Sequence, residues 1–378
     1  MAERALRALR VLSVFGTRPE AVKMAPVVLR LRQTPGVDSQ VCVTAQHRQM
    51  LDQVLDLFHL KPDFDLDLMQ PDQSLAEMAA AVFTGLDPIL EQVRPDWVLV
   101  QGDTTTVAAA ALAAYYRKIR LGHVEAGLRT GDKWRPFPEE INRRVAGVVA
   151  DLHFAATDWA RDNLRREGVP DDRIVVTGNP VIDALHAIVA LPYDFESGPL
   201  ANMDPDRRLI LVTAHRRESF GKPLEDIFRA LKELAKKYAT QAEILYPVHL
   251  NPNVAEPAVR ILGSSTNVRL VDPLDYHTMV HCMKRAYLVL TDSGGLQEEA
   301  PALGTPVLVL REVTERPEAL EAGTARLVGT DTERIVAEAS RLMDDPQAHA
   351  AMAKATNPYG DGHAAERIVD ALLAASRG

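Results

Sequence analysis

Cysteine is scarce in this chain: Cys42 and Cys282 are the only two among 378 residues. Two cysteines provide neither a disulfide framework nor a zinc cluster, so the sequence excludes folds that depend on either. Both lie among apolar neighbours, and the simplest interpretation is a pair of buried free thiols.

Long apolar runs and basic clusters are missing as well. No uninterrupted apolar stretch reaches the roughly 18 residues that a membrane-spanning helix needs, and the first residues lack the apolar segment of a secretion signal. A net charge of −9 without a basic run argues against a nucleic-acid partner. We therefore expect a cytoplasmic protein that does not bind nucleic acid and does not insert into a membrane, although local cations could still hold small anions.

Metal-binding patterns are also lacking. The acidic residues are not spaced as a ligand set, and His277 and His281, four residues apart, have no carboxylate beside them in the sequence. The sequence therefore predicts no metal site and no cofactor.

Short apolar segments alternate with helix-length amphipathic segments along the whole chain. This alternation is typical of parallel sheets covered by helices on both faces, and the length suits two Rossmann-like domains of about six strands each. We place the domain boundary after residue 178, so the second domain covers residues 179–362; a last helix, 363–378, could pack on either domain. Twelve strands are predicted, at 11–15, 41–44, 97–101, 121–124, 152–155, 174–177, 209–213, 244–248, 268–271, 287–291, 306–310 and 326–328.

Carboxylates follow the buried strands of the first half. Asp103 and Glu125 each come at the end of an apolar run, where open α/β sheets bind their ligands. Two structural alternatives stay open, since Asp103 could cap the next helix and Arg129 could pair with Glu125. Glu139 follows a proline-rich segment and could either complement a helix dipole or act as an acid or base.

Cations occupy similar positions after the first strand of each half. Arg18 and Lys23 follow the first strand and could bind an anion, or they could be solvated surface charges. His215, beside Arg216 and Arg217, follows the first strand of the second half, where it could hold a pyrophosphate or belong to a basic surface cluster. Comparable strand-end positions are occupied by His249 and Arg316.

A glycine turn follows another buried strand of the second half. Ser293, Gly294 and Gly295 open a helix, and glycines there let backbone N–H groups approach a phosphate. Glu299, one turn later, could hold ribose hydroxyls. The alternative is a tight turn without a ligand. No Gly-Lys-Ser/Thr follows, so the turn is not a P-loop.

Taken together, these motifs resemble the non-hydrolysing UDP-N-acetylglucosamine 2-epimerase family. The resemblance covers almost the whole chain, and several of its motifs are long and specific. It is carried by residues 15–24, 43–53, 102–106, 122–131, 138–143, 215–221, 246–254, 291–301, 314–317 and 357–362.

The resemblance implies a GT-B-type fold in which two domains face a cleft, with the last helix returning to the first domain. It implies a homodimeric enzyme of polysaccharide biosynthesis that interconverts UDP-N-acetylglucosamine and UDP-N-acetylmannosamine without a metal or cofactor. The catalytic residues would be Asp103, Glu125, Glu139 and His215. The substrate would be held by Arg18, Lys23, Ser293, Gly294, Gly295, Glu299 and Arg316.

Some members of that family are activated by their own substrate. The matching region here contains Gln46, Gln49, Arg217 and His249, but Asp72 stands where such members carry a basic residue, so activation stays open. Three other classes also stay open: a retaining glycosyltransferase, a hydrolysing epimerase and a UDP-sugar-binding protein without catalytic activity.

Overall fold

The computed structural model describes residues 7–44, 48–70, 72–201 and 203–377. The chain divides into two compact units: unit 1 contains Met1–Ala184 and Tyr359–Gly378, and unit 2 contains Leu185–Pro358. The first division lies slightly after the predicted boundary at residue 178, and the second lies slightly before residue 362.

Unit 1 is built on a seven-stranded sheet in which all described pairings are parallel. Its order is β3-β2-β1-β4-β5-β6-β7. The central strands are largely apolar because both of their faces are covered, as expected for a parallel sheet. The strands are β1 Leu9–Phe15, β2 Val37–Val43, β3 Phe64–Asp65, β4 Trp97–Gln101, β5 Arg120–Ala126, β6 Leu152–Ala155 and β7 Ile174–Val176.

Helices connect these strands. The first, α1, contains Pro19 in its first turn, where the missing N–H costs no hydrogen bond. The helices in this part of the chain are α1 Arg18–Gln33, α2 Arg48–Leu57, α3 Leu75–Val93, α4 Thr105–Tyr116, α5 Glu139–Val149, α6 Asp158–Arg166 and α7 Pro180–Val189. The division between the units falls inside α7.

Unit 2 contains a six-stranded sheet, again parallel in all described pairings, with the order β10-β9-β8-β11-β12-β13. Its strands are β8 Arg208–Thr213, β9 Ala242–Pro247, β10 Val268–Val271, β11 Ala286–Thr291, β12 Val307–Val309 and β13 Ala325–Leu327. Its helices are α8 Lys222–Lys237, α9 Pro252–Leu262, α10 Tyr276–Arg285, α11 Gly294–Ala302, α12 Pro317–Glu321, α13 Thr332–Asp344 and α14 Pro346–Ala353.

Apolar residues at helical spacing pack α8 into the core of unit 2. Leu224, Ile227, Leu231 and Leu234 lie three or four residues apart on α8 and are completely buried. This spacing produces one continuous apolar face, which packs into the main core of the unit.

The last helix, α15 Ala364–Arg377, packs in unit 1. The N–H groups of Ala364 and Ala365 donate to the Asp183 carboxylate at 3.1 and 2.9 Å, which satisfies two donors of the first helical turn. Farther along, Trp97 Nε1 donates to Ser376 Oγ at 3.0 Å.

Each sheet changes its direction of strand order at one place. In unit 1 this topological switch point lies between β1 and β4, and in unit 2 it lies between β8 and β11. Ligands of open α/β sheets bind outside the carboxyl ends of the strands at such a point. The prediction of two parallel-sheet α/β domains is therefore confirmed, and each sheet presents one natural binding position.

Candidate active site

Glu125 lies near the end of β5 and is held from two sides. Its side chain is only 4% exposed, and Lys23 from α1 forms an ion pair with Oε2. The Gln101 amide, at the end of β4, donates to the same oxygen. The backbone of Glu125 is left-handed, with φ of 61°, a conformation that non-glycine residues adopt only where the surroundings impose it.

Arg129, which the sequence offered as a structural partner of Glu125, pairs with a different carboxylate. Its guanidinium forms a bidentate ion pair with Glu167, in which Nε donates to Oε1 at 2.8 Å and Nη2 donates to Oε2 at 2.7 Å. Lys23 is likewise no solvated surface charge, because only 12% of its side chain is exposed. Glu125, Lys23 and Gln101 thus form a buried polar group at the strand ends.

Asp103 lies in the turn between β4 and α4. It does not cap α4, because Thr104 is the cap residue and its hydroxyl accepts the N–H of Val107 at 3.3 Å. Instead, Arg143 Nη2 donates to Asp103 Oδ2 at 2.5 Å. The Asp103 carboxylate remains 27% exposed, so it can still meet a ligand.

The two acids that open α5 have different surroundings. Glu140 is buried and accepts hydrogen bonds from Thr130 N–H at 3.1 Å and Arg143 at 3.2 Å, so it holds the preceding loop. Glu139 is partly exposed at the first position of the helix. Of the pair, Glu139 is therefore the one that can reach a substrate.

Glu20 ties together the two turns at the switch point of unit 1. It accepts the N–H groups of Gly16 and Thr17 at 3.0 and 2.7 Å, and the Thr104 hydroxyl at 2.7 Å. Burial raises the pKa of this carboxyl, and these hydrogen bonds partly oppose the rise. The turn that carries Arg18 is thereby fixed to the turn that carries Asp103.

His123 contacts the turn that contains Asp103. Its Nε2 lies 2.8 Å from the carbonyl oxygen of Gly102, beside Asp103. Burial lowers the pKa of His123 from 6.5 to about 4, and burial likewise lowers that of neighbouring His153 to about 3. Both imidazoles are therefore neutral at physiological pH.

These two histidines should make the fold sensitive to acid. A lowered folded-state pKa gives stability that is fully present above pH 6.5 and is lost as the pH falls toward 4. Between pH 7.5 and pH 5, His123 alone should remove about 2 kcal/mol of unfolding free energy. Denaturant unfolding of His123→Gln at both pH values should show a smaller loss than the wild type. Exposed His186 is the matched control: a loss reduced equally in His186→Gln would contradict the assignment.

In unit 2, the glycine turn forms the N-terminus of a helix. Ser293 is the cap residue of α11, and Gly294 and Gly295 are its first two residues. The N–H groups of a first helical turn have no partner within the helix, and together with the helix dipole they attract an anion.

Arg316 lies against this turn. Its Nε donates to Glu298 Oε1 at 2.5 Å and its Nη1 to Glu315 Oε1 at 2.9 Å. Although burial alone would raise the pKa of Glu315, Arg316 and Arg311 lower it to about 2. A Cβ built on Gly294 would lie only 2.5 Å from Nη1, so the guanidinium occupies the space that glycine leaves.

Glu299 is buried one turn along α11. It lies beside Tyr276, and burial together with this carboxylate raises the pKa of the Tyr276 hydroxyl well above its usual value. The structure thus places Ser293, Gly294, Gly295, Glu299 and Arg316 in one region of unit 2.

His215 lies at the end of β8, across the switch point from the glycine turn. Its ring stacks on that of His249, with ring centres 5.4 Å apart. Both histidines belong to a group that lines a cavity of about 310 Å³: His215, Arg216, Arg217, Phe220, His249 and Asn251.

Sequence reasoning missed the residue that holds this turn. Asp292 is completely buried and accepts the N–H groups of His215 and Arg216 at 2.6 and 2.7 Å. The available signal was its position, directly after an apolar strand, as for Asp103. Gln101 and Arg143 were also missed, because their partners lie far away in the sequence.

The predicted regulatory residues are described only in part. Gln46 lies outside the described residues, and Gln49 belongs to α2 but its side chain is not described. Arg217 and His249 are exposed and line the cavity beside His215. Asp72 is also exposed.

Within the described ranges, no group of three or more His, Cys, Asp or Glu side chains could hold a metal ion. In that same part of the chain, no helix has the length and apolar character to cross a membrane.

Comparison with known proteins decides the family. A family model described as UDP-N-acetylglucosamine 2-epimerase matches residues 29–373. A relative of that name from Escherichia coli K12 is 56% identical over 370 residues, which cover 96% of this chain and 98% of the relative. This chain belongs to the UDP-N-acetylglucosamine 2-epimerase family.

Solved structures of such epimerases share the fold. One from Neisseria meningitidis, described as bound to UDP-GlcNAc, is 47% identical with a TM-score of 0.90, covering 97% of this chain and 100% of that one. Another, from Methanocaldococcus jannaschii, described as a complex with UDP-GlcNAc and UDP, is 31% identical with a TM-score of 0.81 and the same coverage. The family identification, the enzyme class and the GT-B type of fold that the sequence predicted are therefore confirmed.

Proposed function

We propose that this epimerase interconverts UDP-N-acetylglucosamine and UDP-N-acetylmannosamine by eliminating UDP and adding it back. One observation carries the proposal: Asp103 follows β4, which borders the switch point of unit 1, Glu125 lies near the end of the adjacent β5, and Lys23 is paired to Glu125. The names and bound ligands of the relatives support the choice of substrate.

The first half-reaction removes the proton at C2 of the sugar. A carboxylate of unit 1 takes that proton, the C1–O bond breaks, and UDP leaves with the bonding electrons from the opposite face. The product is a 2-acetamidoglucal with a C1–C2 double bond. A basic carboxylate must be ionised to act, and the ammonium of Lys23 stabilises the charged form of Glu125.

The return half-reaction explains why several acids are useful. A diphosphate oxygen of UDP attacks C1, and C2 receives a proton from the face opposite to the one that lost it. Two faces need two proton-transfer groups, which we assign to the set Asp103, Glu125 and Glu139. No oxidation state changes overall, so the scheme needs no electron acceptor.

We assign the diphosphate to residues that attract anions. The N–H groups at the start of α11 and the guanidinium of Arg316 would bind it in unit 2, and His215 would oppose the charge that develops as UDP leaves. Glu299 would accept hydrogen bonds from the ribose hydroxyls. Arg18 would contact the substrate from the first position of α1.

Proton NMR of the enzyme with UDP-N-acetylglucosamine in D₂O tests the proposal. We expect UDP-N-acetylmannosamine with deuterium at C2, formed without added metal or nicotinamide, because the C2 proton passes through an exchangeable carboxyl group. Product without deuterium at C2 would contradict proton transfer to such a group.

The same spectra distinguish the rival functions. A hydrolysing epimerase would accumulate free N-acetylmannosamine and UDP, and a glycosyltransferase would turn over only with an added sugar acceptor. A non-catalytic binding protein would shift substrate signals without forming product.

A further inference from the structure

Asp292 is a fully buried carboxylate to which the scheme above gives no role. It follows β11 at the switch point of unit 2, and its side chain is 0% exposed. Oδ2 accepts the N–H groups of His215 and Arg216 at 2.6 and 2.7 Å. The backbone carbonyl of Asp292 also accepts Arg216 Nε at 3.3 Å. One residue therefore fixes the main chain of the turn that carries His215.

The other carboxylate oxygen faces the imidazole itself. Asp292 Oδ1 lies 3.4 Å from His215 Nδ1. Within the described residues, Oδ1 is buried and accepts no hydrogen bond. A buried carboxylate oxygen without a donor is costly, so a proton on Nδ1 is strongly favoured over a lone pair there.

The His215 side chain is 40% exposed, and it borders the cavity that also contains the exposed Arg217 and His249. With Nδ1–H directed at Asp292, Nε2 is the nitrogen that we assign to a ligand in this cavity. This orientation resembles the general arrangement in which a buried carboxylate fixes a histidine and stabilises its protonated form.

We propose that Asp292 is a positioning residue that keeps His215 protonated at Nδ1 and directs Nε2 toward the diphosphate of the substrate. The assignment rests on the proposed function, since His215 acts there on the departing UDP. As the C1–O bond breaks, negative charge grows on the diphosphate, and an imidazolium held by Asp292 can oppose it. Asp292 and His249 face this ring, and Arg216 and Arg217 line the same cavity.

Asp292→Asn is the most informative variant because it can replace the hydrogen-bond acceptor that faces His215 Nδ1 by a donor. One amide oxygen can still accept the two backbone N–H groups, but the NH₂ group can only donate toward Nδ1. The variant should therefore favour His215 protonated at Nε2 instead. We expect kcat to fall about 10- to 100-fold with little change in KM, because the developing charge exists only in the transition state.

The ¹⁵N spectrum of histidine-labelled enzyme reports the proton position directly. The His215 signals are those missing from His215→Gln. We expect a protonated Nδ1 in the wild type and an unprotonated Nδ1 in Asp292→Asn. A matched control is Thr213→Val, which removes the neighbouring Thr213–Thr291 hydrogen bond and should change neither the proton position nor kcat.

Several results would overturn the proposal. Wild-type kcat in Asp292→Asn would do so, and so would a loss of activity that leaves the His215 proton position unchanged. Asp292→Asn should also add little to the defect of His215→Gln, since residues that act as a unit are not additive. If the Asn variant failed to fold, an unprotonated Nδ1 in the wild type would be enough to refute the proposal. Absence of epimerisation in the wild type would refute the proposed function instead, whatever the ¹⁵N result.

Discussion

Replacing Glu125 by glutamine should lower kcat about 10²- to 10⁴-fold, the range typical of a positioned acid or base. The amide has almost the same shape as the carboxylate but cannot take a proton from C2. It also leaves the buried ammonium of Lys23 without its charged partner. UDP affinity, measured by calorimetric titration, should change little because we assign Glu125 to the sugar and not to the nucleotide.

Asp103→Asn and Glu139→Gln should each lower kcat by a factor in the same range. Glu167→Gln is the matched control, since Glu167 is an arginine-paired carboxylate of unit 1 outside the strand ends. It should keep kcat within about threefold of the wild type, as a partly exposed pair contributes little. Near wild-type kcat in all three site variants would show that the carboxylates are assigned wrongly.

The second large effect should come from the glycine turn. Gly294→Ala places a methyl group only 2.5 Å from the present position of Arg316 Nη1, which is too close for the two to coexist. The guanidinium would have to leave its ion pair with Glu298, and the diphosphate would lose a charged donor. A hydrogen bond to a charged group contributes about 1.5–3 kcal/mol, so UDP should bind roughly 10- to 100-fold more weakly.

Calorimetric titration with UDP measures this loss. Gly147→Ala, on α5 of unit 1, is a control in which the added Cβ meets only Arg129 Nη2, at 3.6 Å, and UDP affinity should be unchanged.

We also expect Glu299→Ala to weaken UDP binding by about 1.5–3 kcal/mol through loss of the ribose contacts. Gly295→Val should weaken binding too, because a bulky side chain would stand at the helix N-terminus. Unchanged UDP affinity in a folded Glu299→Ala variant would show that the nucleotide binds elsewhere.

The sheets were largely predictable because a parallel strand buried on both faces is apolar along most of its length. The runs that contain 97–101 and 209–213 show this pattern and form β4 and β8. β3 was not predicted, since it has only two residues and only its first, Phe64, is apolar. Placing Asp103 and Glu125 at strand ends needed no more than these runs and the rule for parallel sheets.

Partner choice could not be predicted, because it depends on residues that are distant in sequence. Arg129 is four residues from Glu125, yet it pairs with Glu167, 38 residues away. Arg143 reaches Asp103 across 40 residues, and the main-chain donors to Asp292 lie 77 and 76 residues away. Only the register of neighbouring strands and the placement of helices bring such groups together.

The cap of α4 could not be predicted for a different reason, because two neighbouring residues could fill the same role. Asp103 and Thr104 are adjacent, and both residue types cap helices well. The structure gives this role to Thr104, and Asp103 then remains available for Arg143 and a ligand. Residue type alone could not choose between two neighbouring caps.

The most direct test of the central claim is to supply the proposed intermediate. Enzyme given 2-acetamidoglucal and UDP should form both UDP-N-acetylglucosamine and UDP-N-acetylmannosamine, detectable by NMR or mass spectrometry, because the return half-reaction needs only these two compounds. Glu125→Gln should form them much more slowly. If the wild type epimerised UDP-N-acetylglucosamine but formed no UDP-sugar from 2-acetamidoglucal and UDP, elimination and re-addition would be contradicted.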